Sequence, residues 1–194
     1  MGILNSYREI CKEREILSRE VFGGLDIPAY VLSKFTVLSV VGIVQCAILF
    51  GGTLLFIDFA YPVPATGYLC SYAAMALTNI SVMAVGLFIS ALLKKSESAI
   101  LPVLFIIIMQ VVFCDSLFSL EGAAGWLRYV TPSAWGIAVF SRECALNSWA
   151  PREYFYKSMF DLNPLIGIAV LAAIAIVFVL LTIFRLKRVY RQKD

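Results

Sequence analysis

An all-α integral membrane protein is the fold class the sequence predicts: four membrane-spanning helices behind a charged amphipathic helix. Three observations carry that expectation. Apolar residues make up 61% of the 194-residue chain and the mean hydropathy is +0.87, outside the range of soluble domains. Four stretches reach the roughly 20 apolar residues that a bilayer core about 30 Å thick demands of a helix. No charge occurs from Phe35 to Ile57, whereas four basic and four acidic residues crowd between Arg8 and Glu20.

Residues 1–24 come first. Ile3, Leu4, Tyr7, Ile10, Cys11, Leu17 and Val21 follow three-to-four spacing, which predicts one apolar stripe on a helix lying near the membrane surface. Glu9 with Lys12, and Glu15 with Arg19, form i,i+3 and i,i+4 pairs on the other faces. Gly23-Gly24 ends the helix and Asp26, two residues before Pro28, reads as the cap of the next. A helix held only by lipid headgroups favours a basic polar face. Balanced charge suits pairing with a protein partner instead.

The spans follow at 30–57, 67–93, 98–117 and 164–184. Lys34 sits near the start of the first, where it can snorkel to the headgroups. Pro102 falls in the opening turns of the third, and Pro164 suits the first turn of the fourth. The connection 118–163 is oddly apolar, with Trp126-Leu127 and the run Ala134 to Phe140 too short to span. It reads as two short interfacial or re-entrant helices split at Thr131-Pro132, with Thr as cap and Pro in the first turn. Irregular backbone at that depth survives only against protein, so the connection should form a lid. Residues 185–194 are a basic tail.

Lys and Arg placement orients the spans. Arg8, Lys12, Arg14, Arg19 and Lys34 precede or open the first; Lys94 and Lys95 join the second to the third; Arg185, Lys187, Arg188, Arg191 and Lys193 follow the last. The loop around Asp58 to Pro62 has none. Both chain ends are therefore expected on the cytoplasmic side of the cell membrane, with 118–163 outside.

Several chemistries are disfavoured. There is no histidine, the commonest general base and metal ligand. The five cysteines show no CxxC spacing and read as packing residues, with one disulfide conceivable among Cys70, Cys114 and Cys144. No secretory leader is visible, and neither a Ser/Lys dyad nor paired intramembrane carboxylates suggest a membrane enzyme. Gln45, Asn79 and Gln110 lie inside apolar runs, where buried amides more often join helices than line a path.

The octet Glu13-Arg14-Glu15-Ile16-Leu17-Ser18-Arg19-Glu20 resembles the E-R-x-x-x-x-R-E segment of ABC transporters of the G subfamily (White type), whose membrane domain is of the ABC-2 type. Asn5 to Ile10 resembles the family's exit from its second span, and Ile27 to Lys34 its third-span entrance. Val130 to Gly136 followed by Glu143 resembles its re-entrant external element. The resemblance covers essentially the whole chain and implies a permease part of an ATP-driven exporter. It implies coupling of Glu13, Arg14, Arg19 and Glu20 to a nucleotide-binding domain, and an external element carrying Pro132, Trp135, Gly136 and Glu143. The third span would correspond to the family's fifth, so that Leu104, Ile108, Gln110, Val111 and Leu117 border a pathway for a lipid or hydrophobic small molecule. A second membrane half, as homo- or heterodimer, is also implied.

The departures are plain. The family's membrane domain has six spans, and this chain opens where the second would be ending. It lacks the G-x-x-x-x-G-K-[ST] phosphate loop, so ATP and Mg belong on a partner domain and this chain should bind no cofactor, metal or nucleic acid. Met1 would then be internal to a longer protein, or a neighbouring chain would supply the missing parts. The competing expectation is a non-transporting four-span scaffold, or an inactive C-terminal fragment of a longer transporter.

Overall fold

The computed structural model describes residues 1–57, 59, 61–62, 64–93, 99–114, 125–149 and 158–191. Among them every regular element is helical. These are α1 (Gly2–Ser6), α2 (Glu9–Lys12), α3 (Arg14–Phe22), α4 (Ile27–Leu54), α5 (Pro64–Leu92), α6 (Ile100–Val112), α7 (Leu127–Val130), α8 (Pro132–Glu143), α9 (Leu146–Trp149) and α10 (Pro164–Arg191), with a 3-10 turn at Ser158–Asp161.

Three helices, α4, α5 and α10, are long and apolar enough to cross a bilayer, which makes this a multi-pass α-helical membrane protein. The expected third span is shorter among the described residues. The 13 residues of α6 reach only about 20 Å at 1.5 Å each, against the roughly 30 Å of a bilayer core. Lys94, Lys95, Ser98 and Leu117, which the sequence assigns to the turn before this span and to its two ends, lie outside the described residues.

The last helix runs past the expected span 164–184 and on through the basic tail to Arg191. Leu186 and Tyr190, one turn apart, are buried, and their packing keeps the basic segment helical. The single helix expected over 1–24 is broken into α1, α2 and α3, with bends at Tyr7-Arg8 and at Glu13 (φ −96°, ψ 6°). The breaks let Ile3, Ile10 and Leu17 all be buried, while Leu4, which the stripe would also bury, is exposed.

The end of α3 follows its sequence signal. Gly24 takes a left-handed φ of 96°, which glycine adopts without steric cost. Its N–H donates to the Val21 carbonyl and that of Leu25 to the Glu20 carbonyl. That is the paired bonding of a Schellman cap. Next, α4 begins with the Asp26 carbonyl accepting from the Tyr30 N–H.

The chain divides into two compact units, and α4, α5, α6 and α10 contribute to both. The first comprises Met1–Gly42, Asn79–Ile107 and Ile174–Asp194. Its core joins Ile10 and Leu17 to Val31 of α4, Leu87 of α5 and Val179 of α10. Here α1 packs along α5 rather than on a membrane surface. A Cβ added at Gly86 would fall 2.1 Å from Ser6 Oγ and 3.1 Å from the Ile3 carbonyl oxygen, so only glycine permits the approach.

The second unit comprises Ile43–Thr78 and Ile108–Ala173. Thr131 precedes α8 as expected, but its hydroxyl bonds back to the Leu127 carbonyl (3.0 Å) and caps nothing forward. Pro132 opens α8, whose Ala134, Trp135 and Ala138 pack with Phe160 and Leu171. A Cβ at Gly136 would meet Thr78 Oγ1 at 2.2 Å, so α8 crosses α5 at that glycine. Phe59 stacks edge-on against Phe140 (5.4 Å) and Tyr61 against Tyr68 (4.7 Å). All five cysteines are free thiols.

Replacing Gly86 by Ala should lower stability by about 1–3 kcal/mol through overpacking. Gly51, where an added Cβ meets nothing within 4 Å, should tolerate Ala or gain slightly. Thermal unfolding of both variants in detergent checks this; equal melting temperatures would contradict the packing of α1 on α5.

Candidate functional site: a charged segment braced against helix ends

Helices of four and five residues are not stable alone, so α1 and α2 depend on what they touch. Ser90, fully buried near the end of α5, supplies much of it. Its Oγ accepts the N–H groups of Ile10 and Cys11, both at 3.0 Å. These are first-turn donors of α2 that have no intrahelical partner. Cys11 Sγ donates in turn to the Ser90 and Leu93 carbonyls (2.9 and 3.2 Å).

The bend at Glu13 turns its side chain inward. Tyr30 OH donates to Glu13 Oε2 (2.8 Å) and Lys34 Nζ to Oε1 (2.5 Å). Tyr30 and Lys34 are one turn apart on α4, so they meet the same carboxylate. Lys34 also lies 3.7 Å from Glu9; it pairs with this segment rather than snorkelling to headgroups. Partial burial raises the Glu13 carboxyl, but the hydrogen bonds from Lys34 and Tyr30, with the charges of Lys34 and Lys12, outweigh it. The net position is below the ordinary carboxylate value.

Arg14 is the second inward group. Its Nη1 donates to the Leu93 carbonyl just beyond α5 (2.5 Å). A cation there satisfies an orphan carbonyl and opposes the negative end of the helix dipole. From α10, Tyr190 OH reaches the Arg14 carbonyl at 3.5 Å. Glu13 and Arg14 therefore fasten the segment to the start of α4 and the ends of α5 and α10.

The octet's other charges point away. Arg19 and Glu20 are exposed, together with Lys12 and Glu15. Ile16 and Phe22 join them at 58% and 67% exposure, while Leu17 on the opposite face is 1% exposed. The four residues singled out from the sequence thus split into a buried-side pair and an outward pair. Sequence reasoning missed Ser90, Leu93, Tyr30 and Tyr190. Only a charge at Lys34 beside an aromatic one turn earlier offered a signal.

The pathway residues also divide. Leu104, Ile108 and Val111 share one exposed apolar face of α6, whereas Gln110 turns aside to pair with the Ser133 hydroxyl of α8. A partly buried amide with a partner in reach can join two helices, and here Gln110 links α6 to α8. In the connection around α7 and α8, Trp135 Nε1 donates to the Tyr129 carbonyl (2.8 Å). Arg142 lies 3.7 Å from Asp161, and Glu143 is within electrostatic reach of Cys70 and Cys144.

Apolar spans, a charged segment tied to their ends and a packed connecting helix are what a transporter's membrane domain presents. The sequence profile of the family described as ABC-2 type transporter matches residues 5–142. The chain belongs to that family and is a permease component of an ABC transporter. It is also similar to the ABC transporter ATP-binding/permease protein Rv1747 of Mycobacterium tuberculosis (strain ATCC 25618 / H37Rv), at 30% identity over 146 residues. That similarity covers 71% of this chain and 16% of the relative's length.

Glu13→Gln should cost about 1 kcal/mol at neutral pH, because a charge-assisted hydrogen bond is lost at a site about a third exposed. The folded carboxyl sits below its ordinary value, so its contribution is complete above the unfolded pKa and vanishes as pH falls through the folded one. Thermal unfolding at neutral and acidic pH should show the gap between wild type and variant closing on acidification. A gap independent of pH would contradict the ionised role of Glu13.

Proposed function

We propose that this chain is the membrane-spanning part of an ATP-driven exporter of the G-subfamily type, working with a separate nucleotide-binding domain and a second membrane half. Nucleotide-driven movement enters through the outward face of α2 and α3 and leaves through the helix ends. The observation that carries this reading is the division of the octet. Glu13 and Arg14 are bound to α4 and to the end of α5, while Arg19, Glu20, Ile16 and Phe22 stand exposed. A purely self-paired surface helix would have no reason to spend its inner charges on three helix ends.

The outward face has the composition of a docking surface. Two large apolar side chains, Ile16 and Phe22, lie among charges of both signs. Apolar anchors supply contact energy, and the surrounding charges set register and partner choice. The relative's printed name joins an ATP-binding part to a permease, which supports an ATPase partner that would hold ATP and Mg. The chain itself carries no phosphate loop.

The cargo class follows from α6. The face made by Leu104, Ile108 and Val111 is apolar and exposed, and an uncharged wall suits a lipid or hydrophobic small molecule better than an ion. In this reading the segment 1–24 and the foot of α10 face the cytoplasm, in keeping with the basic residues near both.

Ile16→Asp and Arg19→Glu, introduced into the assembled transporter in nanodiscs, should each lower ATPase activity coupled to transport by about tenfold or more. Melting temperature should hold, because both side chains are exposed. Retention of the full coupled activity in both variants would overturn the docking role. So would labelling of a thiol introduced at position 19 from the outside of intact cells.

A further inference from the structure

From Ile176 onward α10 presents two unlike faces. Val179, Thr182, Leu186 and Tyr190 are buried, while Ile176, Val177, Leu180, Leu181 and Phe184 are exposed. The exposed residues recur at three-to-four spacing and form an unbroken apolar stripe. It ends abruptly at Arg185, Lys187 and Arg188. On a helix of 3.6 residues per turn, positions 181, 185 and 188 share one face. Two guanidinium groups therefore stand one and two turns beyond Leu181, at the foot of the stripe.

Among the described residues neither arginine is matched by an anion. Among the described residues no salt bridge or side-chain hydrogen bond is made by Arg185, Lys187 or Arg188. Arg185 is half-buried, with its Nε sealed from solvent and lacking a hydrogen-bond partner among the described residues. Burying part of a guanidinium without a counter-charge is costly, and packing at Nε fixes where the remaining donors point. The fork geometry of guanidinium matches phosphate oxygens bidentately.

We propose that Arg185 and Arg188 form a binding site for the phosphodiester of an anionic phospholipid, whose acyl chain lies along Val177, Leu181 and Phe184. Two features favour a lipid over a soluble phosphate. The site is continuous with an exposed apolar stripe about as long as several methylene units of an acyl chain, and it lies at the end of a membrane-crossing helix, where the headgroups are. Occupancy offsets the unmatched charge of Arg185 and steadies the last turns of α10, which carry Tyr190 to the Arg14 carbonyl. The proposal rests on the membrane-spanning character of α10 and is independent of the docking role of α3.

The test is native mass spectrometry of the chain released from nanodiscs made of equal parts phosphatidylcholine and phosphatidylglycerol. Wild type should retain phosphatidylglycerol preferentially, and Arg185→Gln/Arg188→Gln should lower that preference roughly tenfold or more, at the scale of favourable energy per basic residue near an anionic surface. Arg185→Lys/Arg188→Lys keeps the charge and guards against a folding defect; it should retain part of the preference. Equal retention of the two lipids by wild type, or a preference unchanged in the Gln variant, would overturn the site. Loss of bound phosphatidylglycerol on adding millimolar inorganic phosphate at constant ionic strength would also overturn it, because the site would then be reading a free anion.

Discussion

Glu13 sits where the leading segment bends, and its two carboxylate oxygens are taken by Tyr30 and Lys34 of α4. The rest of the segment is arranged around that fixed point. One residue later the chain turns Arg14 onto the Leu93 carbonyl, so α4 and the end of α5 are gripped by adjacent side chains. Ser90 holds α2 from below by capping two of its first-turn donors. A helix as short as α2 would fray in water; here two of its unpaired N–H groups are closed by a side chain of the long α5.

The anchoring gives the segment two faces with different physics. On the inner face, charges are partly desolvated and joined to fixed partners, which strengthens each interaction. On the outer face, charges remain solvated and screened, so they contribute little to folding and are left free for a partner. Ile16 lies within one turn of helix of Leu17 in the core and of the Glu13 and Arg14 contacts, and Arg19 within about two turns. This is the stiffness the proposed coupling requires. Of the three long apolar helices α5 is the most enclosed, and Ser90 near its end takes the Ile10, Cys11 N–H and Cys11 Sγ bonds.

Much of this was legible in the sequence. The uncharged run from Phe35 to Ile57 announced α4, Gly23-Gly24 announced the end of α3, and Thr131-Pro132 the start of α8. The octet marked the segment that the structure ties down. What the sequence hid were long-range pairings. Periodicity gives one helix over residues 1–24 because it cannot see Ser90, which makes a broken helix affordable 79 and 80 residues away. Leu186 and Tyr190 look isolated among Arg and Lys in the sequence, yet they belong to the same buried cluster as Ile10 and Leu17. The amide of Gln110 suggested a helix-joining role, but its partner, Ser133, belongs to another helix and could not be named from periodicity.

The central claim is that the leading segment is fastened to the helix ends instead of resting loosely on a membrane surface. Hydrogen–deuterium exchange at the Ile10 and Cys11 amides, in bilayer nanodiscs and compared with a Ser90→Ala variant, tests it most directly. Slow exchange is expected in the wild type, well below that of a frayed short helix, with a marked acceleration in the variant. Fast exchange in the wild type, or protection indifferent to the loss of the Ser90 hydroxyl, would contradict it.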